Sequence, residues 1–173
     1  MFGIRGEEGA SPGNPMITIN PHSLDTLCAE ARANPRRRRN LNIHSGETAP
    51  SQRLFNALEP DSYVAPHRHA DPAKDETFVW IRGRLGVVEF TPDGRVAEVA
   101  ELSAGTAVSV TIPSGTFHTI FALEPGSIFF ESKAGPYRPL SADEKAPWAP
   151  PEGSPESATY LAGLAALLAG DPR

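Results

Sequence analysis

The chain has 173 residues, of which 39% are hydrophobic, a net charge of −5 and a single cysteine. A chain of that length fits one domain and buries roughly 70% of its unfolded surface, so it needs no staple to fold. The acidic balance argues against nucleic acid as a partner, because such binders need a field positive enough to displace counterions from phosphates, and Cys28 has no partner for an internal disulfide.

Residues 1–15 combine Gly, Pro, Glu and Ser with few large apolar groups, and they read as a loose tail. Met1 to Glu8 lacks the basic region and apolar run of a signal peptide. The best apolar stretch, Leu161 to Ala169, falls well short of the roughly 20 residues a membrane helix needs. A cytoplasmic protein without a membrane partner is the expectation. Ser23 is the expected N-cap of a short helix whose Leu24, Leu27, Cys28 and Ala31 share one face before Asn34-Pro35 stops it. The run Arg36 to Arg39 follows. It is either a solvated basic segment or, through Arg37 and Arg39, a contact for a phosphate or carboxylate at a pocket mouth.

From about residue 39 the apolar period changes from helical to alternating. Nine short strands are predicted: 39–44, 52–58, 62–68, 76–81, 84–90, 96–101, 106–112, 117–123 and 127–133. Strands so short and so closely spaced imply a sandwich or barrel. Thr91-Pro92-Asp93-Gly94 has the chemistry of a hairpin turn, and Gly83 and Gly105 mark other corners. Prolines at 136, 139, 147, 150, 151 and 155 rule out a persistent helix or central strand there, so this segment should run as an extended arm. Ser154-Pro155-Glu156 then reads as the N-cap and first turn of a C-terminal helix carrying Leu161, Leu164, Leu167 and Leu168. The expected organisation is a tail over 1–15, a β-barrel with its N-terminal helix over 16–140, and a Pro-rich arm with a helix over 141–173.

His67 and His69 stand two apart in a predicted strand, which aims both side chains to one face. Glu76 and His118 can complete a ring around one ion. Three imidazoles and a carboxylate suit one divalent transition metal, such as Fe, Mn, Ni, Zn or Cu, better than calcium or magnesium. Phe78 and Trp80 share the parity of Glu76, Ile120 shares that of His118, and Tyr63 precedes His67, so these side chains are candidates to line a substrate cavity. Gln52 and Asn56 share one parity, and Glu131 and Lys133 share another. If that face points inward, it supplies an acid, a base or an anion anchor; if outward, it is solvated surface. His44 and Tyr137 are further candidates for the pocket and its mouth.

Together these residues resemble the cupin superfamily. Its first motif is matched in order by His67, His69, Glu76 and Gly83, with six residues between His69 and Glu76 where the family has three or four, and Asp61 in place of the leading glycine. Its second motif is matched by Pro113, Gly115 and His118, with Gly105 two residues upstream of the family position. Arg53-Leu54 to Glu59-Pro60, Ser62 to His69, Gly135-Pro136-Tyr137 and Ala146 to Pro150 are similar to the WbuC-type cupin-fold metalloproteins, a likeness spanning roughly residues 35–165. The resemblance implies an all-β jelly-roll barrel with an N-terminal and a C-terminal helix, and a bound metal. Its reaction is unassigned.

The function expected from this reading is that of a mononuclear metal-binding cupin enzyme, of isomerase, epimerase or lyase type. It would act on a small polar substrate such as a carbohydrate or a hydroxy or keto acid, with Glu131, Lys133 and Tyr137 as catalytic candidates. A non-heme iron dioxygenase and a non-catalytic small-molecule sensor are the alternatives. A homodimer is the expected assembly.

Overall fold

The computed structural model describes residues 16–169. The tail expected over 1–15 and the chain past 169 lie outside the described residues. No described helix is long and apolar enough to cross a membrane.

The chain opens with helix α1 (Pro21–Ala33). Its N-cap is Asn20 rather than Ser23: the Asn20 side chain accepts the Ser23 backbone N–H at 3.0 Å, and Pro21 takes the first helical position, where its missing N–H costs nothing. Eight strands follow: β1 (Arg38–Asn42), β2 (Ser51–Leu58), β3 (Glu76–Arg82), β4 (Leu85–Phe90), β5 (Val96–Leu102), β6 (Ser109–Ile112), β7 (Phe117–Ala122) and β8 (Ser127–Ala134). Helix α2 (Glu156–Ala166) closes the described fold. The Ser154 side chain makes no capping bond to α2, and Pro155 takes the N-cap position instead.

The strands form two antiparallel sheets, one of five strands in the order β1-β2-β8-β3-β6 and one of three in the order β5-β4-β7. This corrects the expectation of a closed barrel, since no ladder joins the two sheets among the described residues. Alternation explains the layering. Leu58, Phe78 and Phe129 of the larger sheet meet Leu85, Val87 and Ile120 of the smaller one in the central core. The opposite face of the larger sheet, with Ala57 and Ile128, is covered by Leu27, Cys28 and Ala31 of α1. The outer face of the smaller sheet, with Val88, Phe90 and Phe121, is covered by Leu161 and Leu164 of α2.

The predicted strand over 62–68 is absent. Pro66 has no N–H for a ladder, and the Tyr63 and Val64 carbonyls go to side chains, accepting from Arg38 Nη1 at 2.9 Å and Thr119 Oγ1 at 2.6 Å. Within 62–68 His67 alone makes isolated bridges, to His118 and to Lys145. The arm after β8 does run without regular structure, apart from one turn of 3-10 helix over Ala142–Glu144.

The corner at Gly83 is tight. Its φ is +75°, and a Cβ there would lie 2.9 Å from Ser127 Cα. Ser127 cannot retreat, because its hydroxyl donates to the Arg84 and Glu124 carbonyls at 2.9 and 2.7 Å. Gly83→Ala should therefore destabilise the fold by about 2 kcal/mol or more, from left-handed strain and the clash together. Urea unfolding should show a lower midpoint at unchanged slope; an unchanged midpoint would refute the argument.

Candidate metal centre

Backbone pairing places the imidazoles. His67 N–H donates to the His118 carbonyl at 3.0 Å and His118 N–H returns a bond to the His67 carbonyl at 2.8 Å, so these two residues sit directly opposite each other. His69 is fixed through its carbonyl, which accepts the Gly115 N–H at 2.7 Å. The turn at 113–116 thus clamps the first histidine pair to the third histidine without a strand between 62 and 68. The six residues between His69 and Glu76 form a turn of their own. Asp71 accepts from Lys74 N–H through its carbonyl at 2.9 Å and from Ala73 N–H through its carboxylate at 3.0 Å. Asp75 points the other way from Glu76 and accepts the Ser114 N–H at 2.9 Å. The longer gap is a folded loop that delivers Glu76 to the first position of β3.

One ligand atom from each of His67, His69, Glu76 and His118 lies within 4.8 Å of every other. Glu76 Oε2 is 2.9 Å from His118 Nε2 and 3.5 Å from His69 Nε2. Ligands at right angles around one ion, each about 2.1 Å away, stand about 3 Å apart. The hydrogen bonding behind the rings fits the same end. A carbonyl only accepts, so Nδ1 of His67 and of His118 must be the protonated nitrogen, donating to Ala65 O at 3.1 Å and Thr116 O at 2.9 Å. In the neutral ring the Nε2 lone pair then faces the cluster, the arrangement that metal-ligating histidines use. Burial, helped by the neighbouring His118, pushes His67 down to about 3, which keeps this imidazole unprotonated. These donors fit a divalent transition metal.

The carboxylate is embedded in charge. Glu76 is 2% exposed. Burial opposes its ionisation, whereas the Lys133 ammonium at its Oε1 favours the charged form. Glu76 and Lys133 are direct cross-strand neighbours on β3 and β8, and Lys133 Nζ donates to Glu76 Oε1 at 2.6 Å and to Glu131 Oε1 at 2.7 Å. Against the cost of burial, the two carboxylates raise the affinity of Lys133 for its proton. Glu131 goes the other way: burial first, then the Glu76 charge, push it up to about 7. Asn56 Nδ2 donates to Glu131 Oε2 at 2.9 Å.

These groups enclose a cavity of about 150 Å³ with Phe78, Ile120 and Phe129 as its apolar wall. The face carrying Glu131 and Lys133 points inward. Tyr137 is half exposed and lies at the mouth, where Gln52, His67, His69 and Lys133 also line the opening. His44 lies further out, on a surface cleft with Asn40, Asn42 and Tyr137, and its Nδ1 accepts the Arg53 N–H at 3.0 Å. Gln52 borders both openings, yet its amide donates to the Ala49 carbonyl at 3.0 Å and the Glu47 carbonyl at 3.2 Å, tying down the 46–49 loop.

Four sequence candidates lie elsewhere. Tyr63 is turned into the core beneath α2, donating to the Pro150 carbonyl at 2.9 Å, because without a strand over 62–68 it does not share the direction of His67. Trp80 packs against the central core and spends its indole N–H on the Gly83 carbonyl at 2.8 Å, away from the metal end. Arg37, at φ +57°, pairs with Asp61 at 2.9 Å, and Arg39 pairs with Glu30 of α1 at 3.1 Å. The arginine that reaches the cavity is Arg38, with Asn40 and Asn42 on the same face of β1. Leu41 held the signal: as the one apolar residue of β1 it packs with the α1 cluster, which assigns odd positions to the helix side and even ones to the cavity.

A family model described as a domain of unknown function (DUF6016) matches residues 19–102. No curated protein matches. Among solved structures the chain is similar to protein SO0799 from Shewanella oneidensis, at 16% identity over 57% of this chain and 68% of that one, with a TM-score of 0.47. It is similar to KdgF from Halomonas sp. at 20% identity over 61% and 84%, with a TM-score of 0.47. It is also similar to Bacillus subtilis oxalate decarboxylase, a protein with Mn(II) centres, at 20% identity over 62% and 27%, with a TM-score of 0.45.

The arm contributes to the site through Glu144, whose carboxylate accepts the Ala70 N–H at 2.9 Å, next to His69, and the Ser141 N–H at 2.9 Å. These backbone bonds depress Glu144 from 4.5 to about 2. A depressed carboxylate contributes stability above its unfolded pKa and loses it as pH falls through the folded value. Glu144→Gln should therefore lower stability by about 1 kcal/mol at neutral pH, given its partial exposure. The gap to wild type should close as pH falls from 4.5 to 2; parallel stability curves through that window, from denaturant melts, would contradict the assignment.

Proposed function

We propose that the chain is a mononuclear metal-dependent enzyme of the cupin type, working on a small polar substrate by proton transfer next to a carbonyl or hydroxyl group. The observation that carries this reading is the juxtaposition of His67, Glu76 and His118 with the Glu131–Lys133 pair in one small cavity, His69 completing the ligand set from the mouth. Both motifs that liken the sequence to cupins converge on that cavity. The finer likeness to WbuC-type proteins rests on the sequence segments alone.

The four residues would hold the ion, and the chemistry it supplies when bound is Lewis-acid stabilisation of an enolate-like oxygen. Glu131 takes the proton from the substrate and returns it. Its Oε2 is oriented by the Asn56 amide and its Oε1 by Lys133, so the carboxylate is held in a single pose. Lys133 stays charged between the two carboxylates and steadies negative charge on the substrate side. Phe78, Ile120 and Phe129 exclude water from the reacting end. Tyr137 closes the mouth.

Protein prepared without chelators should hold one transition-metal ion per chain, and His118→Ala should lose it, both read by elemental analysis. Metal-loaded protein incubated in D2O with hydroxy acids, keto acids and sugars should exchange a carbon-bound proton in at least one of them, followed by NMR. Glu131→Gln should keep the metal and slow that exchange by about 100-fold or more. Metal-loaded wild-type protein inert towards the whole panel would remove the enzyme reading and favour a binding role for the same site.

A further inference from the structure

A second charged cluster stands beside the metal centre. Glu152, on the Pro-rich arm, receives Arg36 through both carboxylate oxygens, Nε to Oε1 at 2.6 Å and Nη2 to Oε2 at 2.7 Å, and Arg38 Nη2 also reaches Oε2 at 2.8 Å. Three N–H groups from two guanidinium forks on one carboxylate are the donor set that such a fork offers a bound carboxylate or phosphoryl group. Glu152 and Arg36 both lie outside the regular elements. Glu152 sits between Pro151 and Gly153 in a segment without helix or strand, whereas Arg38 belongs to β1 and is anchored by a bond from Nη1 to the Tyr63 carbonyl at 2.9 Å.

A cavity of about 500 Å³ opens between the arm and the larger sheet, faced by Arg36, Arg38, Lys145 and Glu152, with His67 at its inner end. Three cations against one carboxylate leave it electropositive. Arg38 and His67 also line the inner cavity with the ligand set, so the two spaces share a wall. A tether for the arm would need neither the open volume nor the excess of positive charge.

We propose that Arg36 and Arg38 form an oxyanion subsite, filled by the Glu152 carboxylate in the free protein and by a carboxylate or phosphoryl group of a small-molecule ligand in the complex. The ligand's other end lies at the His67 wall, and this part alone rests on the metal-centre reading. The class of ligand is thus a small polar acid. Glu152 holds the guanidinium pair in its binding geometry until the ligand displaces it.

The test is calorimetric titration of the full chain with inorganic phosphate and with malonate at low ionic strength, for wild type, Glu152→Ala and Glu152→Ala combined with Arg36→Gln. Metal content is measured on the same samples. Glu152→Ala should bind one equivalent of anion at least tenfold more tightly than wild type, and adding Arg36→Gln should reverse the gain. Tighter phosphate marks a phosphoryl ligand, and tighter malonate a carboxylate one. A folded Glu152→Ala variant that gains no affinity overturns the subsite, and so does one in which chloride competes as well as either oxyanion. Anion binding in protein that takes up no metal would remove the metal centre and leave the subsite standing; metal uptake without any anion gain would do the reverse.

Discussion

A carboxylate at 2% exposure cannot stay ionised unless positive charge comes to it, and the architecture around Glu76 answers that requirement. Register places Lys133 directly across from it, the His67–His118 exchange brings one imidazole within 2.9 Å, and the 113–116 turn holds another at 3.5 Å. The inner group nevertheless sets a second carboxylate, Glu131, against the same Lys133 ammonium. Glu131 bears the consequence by keeping its proton up to about 7. Three imidazoles and a carboxylate with ligand atoms within 4.8 Å of one another are the donor set that suits a transition-metal cation there.

Much of this was legible because the ligand residues sit where backbone geometry leaves little choice. Glu76 begins a strand, His118 is the second residue of another, and the Pro-x-Gly turn before His118 has no helical or extended alternative. His67 and His69 converge as their spacing predicts, but by a different route. Alternation converges two histidines only within a strand, whereas the chain at 62–68 spends its carbonyls on Arg38 and Thr119 and converges through one reciprocal pair of backbone bonds. Long-range pairing of that kind leaves no local pattern in sequence. Tyr63 departs from its expected direction for the same reason, since without a strand its side chain turns to the core beneath α2.

The arginine run shows the converse case. Four like side chains in succession carry no internal clue to which of them face inward, and their chemistry is identical. Burial parity decides: once Leu41 packs against α1, Arg39 is drawn to Glu30 on that helix and Arg38 to the cavity. Trp80 illustrates a different limit. It has the parity of Glu76, but strand length separates the two ends of β3, so sharing a face with a ligand does not mean sharing its cavity.

The Pro-rich arm ties these levels together. Its prolines exclude it from either sheet, and that frees its acids to act where a regular element could not reach. Glu144 steadies the backbone beside His69, Pro150 accepts the Tyr63 hydroxyl, and Glu152 pairs with two arginines at the edge of the outer cavity. The arm pairs with the rest of the fold through the backbone only at isolated points, such as the His67–Lys145 bridge, whereas β1 and β8 lie in continuous ladders. The strands therefore fix Arg38, Lys133, Glu76 and His118, and the arm brings Glu144 and Glu152 to them from outside the sheets.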